Sequence, residues 1–94
     1  MNTYEEVILS SVQVERTFHP ETLEDKLVWH RDKEDRVIEV LEPTDWQFQF
    51  DNMIPKELTQ GSMLYIPRNT YHRVIKGSGS FKIRITKYSN ELKF

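Results

Sequence analysis

From Trp46 to Asp51 the chain reads Trp-Gln-Phe-Gln-Phe-Asp, three aromatics alternating strictly with three polar residues. Successive side chains of a strand point to opposite faces, so this period commits the stretch to a half-buried strand. The period returns in Val12-Gln13-Val14-Glu15 and, at greatest length, in Phe81-Lys82-Ile83-Arg84-Ile85-Thr86-Lys87-Tyr88. Along that last stretch one face is apolar and the other basic. Shorter candidates are Val7-Ile8-Leu9 and residues 27–32, 36–42, 56–59, 63–66 and 71–75. Proline, glycine, asparagine and aspartate break the pattern between them, at His19-Pro20, Pro43-Thr44-Asp45, 52–55, Gln60-Gly61, Pro67–Thr70 and 77–80. Residues 21–26 suffice for one helical turn and no more. Seven or eight short strands with a turn signal about every 8–12 residues predict an all-β sandwich or barrel. A closed antiparallel jelly roll hides so many strand edges best.

Ninety-four residues provide one small core, and the chain reads as a single domain over 1–94, with residues 89–94 as a loose or edge-docked tail. Charged residues at 30% against 37% hydrophobic ones describe a folded protein, not a disordered one. With no cysteine, disulfides, thiolate metal sites and cysteine nucleophiles are excluded. The start, Met1-Asn2-Thr3-Tyr4-Glu5-Glu6, lacks the features of a signal peptide, and no apolar run reaches membrane-spanning length. A net charge of −2 predicts no nucleic-acid partner. The expectation is a cytoplasmic protein without a membrane partner.

One turn stands out for what it delivers. In Gly61-Ser62-Met63-Leu64-Tyr65-Ile66-Pro67-Arg68-Asn69-Thr70-Tyr71-His72, Pro67 fixes its own φ and Asn69 tolerates positive φ, so the turn places His72 at a defined point on the next strand. Upstream, His30 and Asp32 in Trp29-His30-Arg31-Asp32 share one strand face. Two histidines and one carboxylate form the facial triad of non-haem iron sites, and this donor set equally suits Mn, Zn or Ni. His30, Asp32 and His72 are therefore the candidate ligands of a divalent metal.

The same residues resemble motifs of the cupin superfamily. Gly61-x5-Pro67-x-Asn69-x2-His72 is similar to the second cupin motif, with asparagine where glycine is usual and Lys76 where asparagine often follows. His30-x-Asp32 is similar to the H-x-H of the first motif, with aspartate for the second histidine. Arg36-x-x-Glu39-Val40-Leu41-Glu42-Pro43 stands where that motif continues, so that Arg36 replaces its usual glutamate ligand. The resemblance covers roughly 27–88 and implies a small single-domain cupin-like jelly-roll β-barrel. The run Trp29–Arg36, with His72-Arg73-Val74-Ile75-Lys76-Gly77, also resembles small cupin-like proteins from tailed phages, which would place the chain in a host cytoplasm. That likeness names no reaction.

Three functions follow from the resemblance. The first is a metal-dependent small cupin acting on or sensing a small polar ligand, with Arg36 or Lys76 holding an anionic group of that ligand. The second is a non-catalytic binding or assembly module on a metal-free scaffold, in which Arg36 forms a salt bridge with Asp32 and occupies the carboxylate a cation needs. The third is a 2-oxoacid-dependent Fe(II) oxygenase, whose H-x-D…H order His30-x-Asp32…His72 matches. Trp29, Arg31 and Tyr71 should lie on the face opposite the triad, where exposed Trp29 and Tyr71 would suit a homodimer interface. Trp46, Phe48, Phe50, Phe81, Ile83 and Ile85 read as core in preference to pocket lining.

Overall fold

The computed structural model describes residues 3–89. Eight strands alternate with turns: β1 (Tyr4–Ile8), β2 (Gln13–Phe18), β3 (Asp35–Val40), β4 (Gln47–Phe50), β5 (Lys56–Glu57), β6 (Met63–Ile66), β7 (His72–Ile75) and β8 (Phe81–Tyr88). The one helical turn expected near residues 21–26 is a 3-10 turn, Glu24–Lys26. The expected tail at 89–94 lies, beyond Ser89, outside the described residues. Among the described residues no helix is long and apolar enough to cross a membrane.

Every strand pairing is antiparallel, in a five-stranded sheet ordered β1-β2-β8-β3-β6 and a three-stranded sheet ordered β5-β4-β7. The longest alternating stretch of the sequence, β8, is the middle strand of the larger sheet. Its Phe81, Ile83 and Ile85 stand opposite Phe18, Val40 and both Val14 and Ile38, so the alternation of three strands falls in register on one apolar face. These side chains are buried against Trp46, Phe48 and Leu58 from the opposing side. Trp46 is fully buried, stacks on Phe81 with ring centroids 5.5 Å apart, and donates its indole N–H to the Gly79 carbonyl at 2.6 Å. That bond satisfies the one polar atom that burying a tryptophan strands.

Two expectations need correction. The sheets face each other without closing into a hydrogen-bonded barrel: β5 is only two residues long, and the larger sheet outnumbers the smaller by two strands. Ile8, across from buried Val14, is consequently 75% exposed. The second correction concerns 27–32, which is no strand. It touches β7 through one isolated pair, His30 with His72. Because β7 begins at His72, the residues after His30 run beside the Pro67–Thr70 turn, and the Asp32 carbonyl accepts a hydrogen bond from the Asn69 N–H at 2.8 Å. Asn69 holds the expected positive φ of 58°.

Gly77 closes the top of this core. A Cβ there would lie 2.7 Å from Trp46 Cδ1 and 2.8 Å from the Asp45 carbonyl carbon, and would strike the Asp45 carboxylate as well. Asp45 cannot retreat, because it accepts hydrogen bonds from the Ser78 backbone and hydroxyl. Gly77→Ala is therefore expected to destabilise the fold by about 1–3 kcal/mol, the usual cost of overpacking. In a thermal melt this is a fall of at least about 4 °C. An unchanged melting temperature would contradict the close approach of the 77–79 loop to Trp46.

Candidate metal centre

His30 and His72 meet because their backbones form a reciprocal pair, His30 N–H to His72 O at 3.0 Å and His72 N–H to His30 O at 2.9 Å. Residues so paired project side chains to the same face. The two imidazoles accordingly pack edge to face, with ring centroids 4.3 Å apart. Two residues on from His30, Asp32 points to that face as well. Its Oδ2 lies 3.3 Å from His72 Nε2, and the ligand atoms of His30, Asp32 and His72 all lie within 4.8 Å of one another.

The protein supports each group from behind. The His72 Nδ1–H donates to the Thr70 carbonyl at 2.8 Å, and the His30 Nδ1–H donates to the Val28 carbonyl at 3.0 Å. A carbonyl only accepts, so each Nδ1 carries a proton and each ring turns its Nε2 to the site, the arrangement typical of metal-binding histidines. His72 is buried and stacks on Phe48, while His30 is exposed. The turn that delivers His72 is anchored by Asp35, which is only 1% exposed. Asp35 accepts the Arg68 backbone N–H at 2.7 Å and lies 3.6 Å from the Arg68 guanidinium.

Asp32 Oδ2 is buried and makes no hydrogen bond. With His72 neutral, two lone pairs face each other across 3.3 Å, an arrangement that calls for a proton or a metal ion between them. A first-row divalent ion bonded at about 2.0–2.2 Å holds its ligand atoms no more than about 4.4 Å apart. The buried pair meets that limit already, and the whole group, with its ligand atoms within 4.8 Å of one another, stands close to it. The donor set fits a metal.

Arg36 lines the same cavity as the triad. Its Nη2 lies 3.3 Å from Asp32 Oδ1, but its shorter bonds go to Glu34 Oε1, from Nη2 at 2.7 Å and from Nε at 2.9 Å. Glu34 holds the guanidinium and leaves Asp32 Oδ2 to the histidines. Burial pushes the Asp32 carboxyl up, but the hydrogen bond that a protonated His72 would donate, and then the Arg36 charge, outweigh it and hold the group below its ordinary value. Lys76 follows β7 and does not line the cavity.

The cavity measures about 370 Å³, within the range of small-molecule sites. Phe48, Phe81, Ile83 and Ile85 form part of its wall as well as the core, whereas Trp46 and Phe50 do not reach it. Its rim includes exposed Lys26, Val28 and His30. Sequence reasoning passed over four residues on or beside it: Lys26, read only as part of a helical turn, and Arg16, Glu34 and Asp35. Only the alternation through β2 carried a signal, since it sets Arg16 on the same face as Val14 and Phe18. On the opposite face, Trp29 (40% exposed) and Tyr71 (45% exposed) pack under Arg73 and Arg31 respectively.

No protein-family model matches the sequence, and no curated protein matches it. Solved structures do match the fold. An RmlC-like cupin family protein with a double-stranded β-helix fold from Methanocaldococcus jannaschii aligns over 93% of this chain and 79% of its own, with a TM-score of 0.71 at 10% identity. A cupin domain from Bordetella pertussis Tohama I aligns over 90% and 91%, with a TM-score of 0.62 at 19% identity. The Fe(II) form of HppE aligns over 90% of this chain but 48% of its own, with a TM-score of 0.66 at 18% identity. The fold is cupin-like.

A depressed Asp32 carboxyl has a consequence for stability. Its contribution is complete above the unfolded-state carboxylate pKa of about 3.9 and is lost as pH falls through the lower folded value. In metal-free protein, the margin by which the urea midpoint of the parent exceeds that of Asp32→Asn is expected to shrink as pH falls below about 4. A margin that grows as pH falls below about 4 would reverse the sign of the shift.

Proposed function

We propose that this chain is a metal-dependent small cupin that binds a divalent ion through His30, Asp32 and His72 and acts on, or senses, a small polar ligand in the adjoining cavity. One observation carries the reading: the buried, unbonded Asp32 Oδ2 faces, at 3.3 Å, the Nε2 of a histidine whose other nitrogen is fixed to a backbone carbonyl. A bound ion would supply a Lewis acid with positions open toward the cavity. The chain's own groups set the rest. Thr70 and Val28 fix the ring orientations, Arg36 lies beside Asp32 facing the cavity, and the apolar wall excludes water from the ligand's body. The Fe(II) of HppE shows that a neighbour in fold holds a divalent ion, and its identity to this chain is low enough that the metal here rests on the donor set alone.

A second reading has its own support. The Arg36–Asp32 contact and the exposed Trp29 and Tyr71 are the features of a metal-free binding or assembly module, a role the phage-like resemblance also favours. The shorter Arg36–Glu34 bonds weigh against it, because they leave the key carboxylate oxygen open.

Elemental analysis of untagged protein, expressed without added metal and purified without chelators, is expected to find a near-stoichiometric transition metal that His72→Ala loses while staying folded. Metal-free protein that also rejects added Fe, Mn, Zn and Ni would leave the module reading. Arg36→Ala supplies an independent check. In chelated protein it is expected to cost about 1–3 kcal/mol, between exposed and fully buried ion pairs. Added metal should restore part of the loss by neutralising Asp32. A loss that metal leaves unchanged would mean that Asp32 does not meet the ion.

A further inference from the structure

The chain as a whole is acidic, with a net charge of −2, yet its cavity is not. Three cations line it, Arg16, Lys26 and Arg36, against the single carboxylate of Asp32. With neutral histidines the lining carries a charge of +2, and a bound divalent ion would add to it. The three cations are not equivalent. Arg16 is paired with Glu6 and lies over the Tyr4 ring, 4.3 Å from its centroid. Arg36 is held by Glu34 and Asp32. Both arginine side chains are largely buried, and Glu6 and Glu34 hold them from outside the cavity lining. Lys26 has no ion-pair partner among the described residues and is exposed at the rim beside Val28 and His30.

We propose that the ligand is a small amphipathic carboxylate whose anionic head is recognised by Lys26 at the rim while its apolar body enters the cavity, making Lys26 a specificity-determining residue that Arg36 and Lys76 are not. The inference rests on reading the cavity as a ligand site. Field and wall each contribute one half of that ligand. With Glu6 and Glu34 offsetting the two arginines, Lys26 is the lining cation without a counterion among the described residues, and it favours an anion over its neutral isostere at the rim. Walls of Phe48, Leu58, Leu64 and Ile85 offer nothing to a second charged or strongly polar group. Arg36 is the weaker candidate for the head because an incoming carboxylate would have to displace Glu34 from bonds of 2.7 and 2.9 Å. Lys26 has no ion pair with a described residue to give up, and its ammonium is a compact charge on a flexible stem that can follow ligands of differing length.

The test compares phenylacetate with phenylacetamide, equal in shape and differing in charge, by NMR titration of the parent, Lys26→Gln and Lys26→Arg. Metal content is measured on the same samples. The parent is expected to bind phenylacetate at least about tenfold more tightly. Lys26→Gln should bring the two within about twofold, and Lys26→Arg should restore most of the preference. Equal binding of both probes by the parent, or binding of neither, would overturn the inference while leaving a metal-loaded protein consistent with the preceding section. A preference that survives in Lys26→Gln would overturn it too and move recognition to an arginine. Metal-free protein with the preference and its loss intact would support the inference and count against the metal.

Discussion

Two hydrogen bonds between the backbones of His30 and His72 carry more of this structure than their number suggests. They are the only ladder contact between the 27–32 segment and β7, and they set which face of that segment looks inward. A slip of one residue would turn Trp29 and Arg31 into the cavity and His30 and Asp32 out to solvent. The neighbouring contacts guard against it. Asn69 bonds the Asp32 carbonyl, buried Asp35 fixes the Arg68 backbone, and the cross-strand pairs Trp29–Arg73 and Arg31–Tyr71 pack on the outer face. The outer aromatics thus have a structural reason to be where they are, apart from any partner they contact.

The sheets differ in size, and the cavity is where that difference is felt. Five strands present a broad apolar face that three shorter strands cover incompletely. Trp46, Phe18 and Phe81 fill one end with stacked rings. Nothing of comparable bulk fills the region between Phe48, Leu64 and Ile85, and a space of about 370 Å³ exceeds by far the voids of an ordinary packed interior. Such a space costs dispersion contacts that a ligand can restore. Its location beside the His–Asp–His group, and not at the tightly packed Trp46 end, ties the cost to the site.

What could be read from the sequence follows the range of the interaction involved. Strands with strict alternation were legible, and β8 begins and ends where its pattern does, because one buried face imposes it locally. The convergence of His30, Asp32 and His72 was legible from a two-residue spacing and a rigid turn; their role as ligands remains the proposal. Asp35 was not legible. An aspartate after Lys33-Glu34 looks like solvent-facing charge, and the distant Arg68 backbone and guanidinium help to make its burial tolerable. The 27–32 segment failed as a strand for a related reason, since its partner turns away after one residue. Lys26 carried no pattern at all, because the role proposed for it lies in its having no ion-pair partner among the described residues, and partners are assigned by the tertiary fold.

Arg36 poses the sharpest electrostatic question, since a guanidinium beside a metal site repels the ion it would neighbour. Two unit charges about 4 Å apart interact by roughly 4 kcal/mol at the effective dielectric of a protein surface. Glu34 answers it. By taking both Nε and Nη2 of Arg36 onto one oxygen, Glu34 compensates the guanidinium locally and draws it off Asp32, which keeps one oxygen 3.3 Å from Arg36 and the other toward the histidines. Glutamate at position 34 and arginine at 36 therefore act as one unit of small net charge. In place of the carboxylate ligand that the family motif would supply at 36, the unit leaves a site with one fewer anion, which weakens its hold on a cation but strengthens its field for an anionic ligand. On the proposed reading, arginine at 36 thus leaves a weaker cation site without placing an uncompensated positive charge beside it.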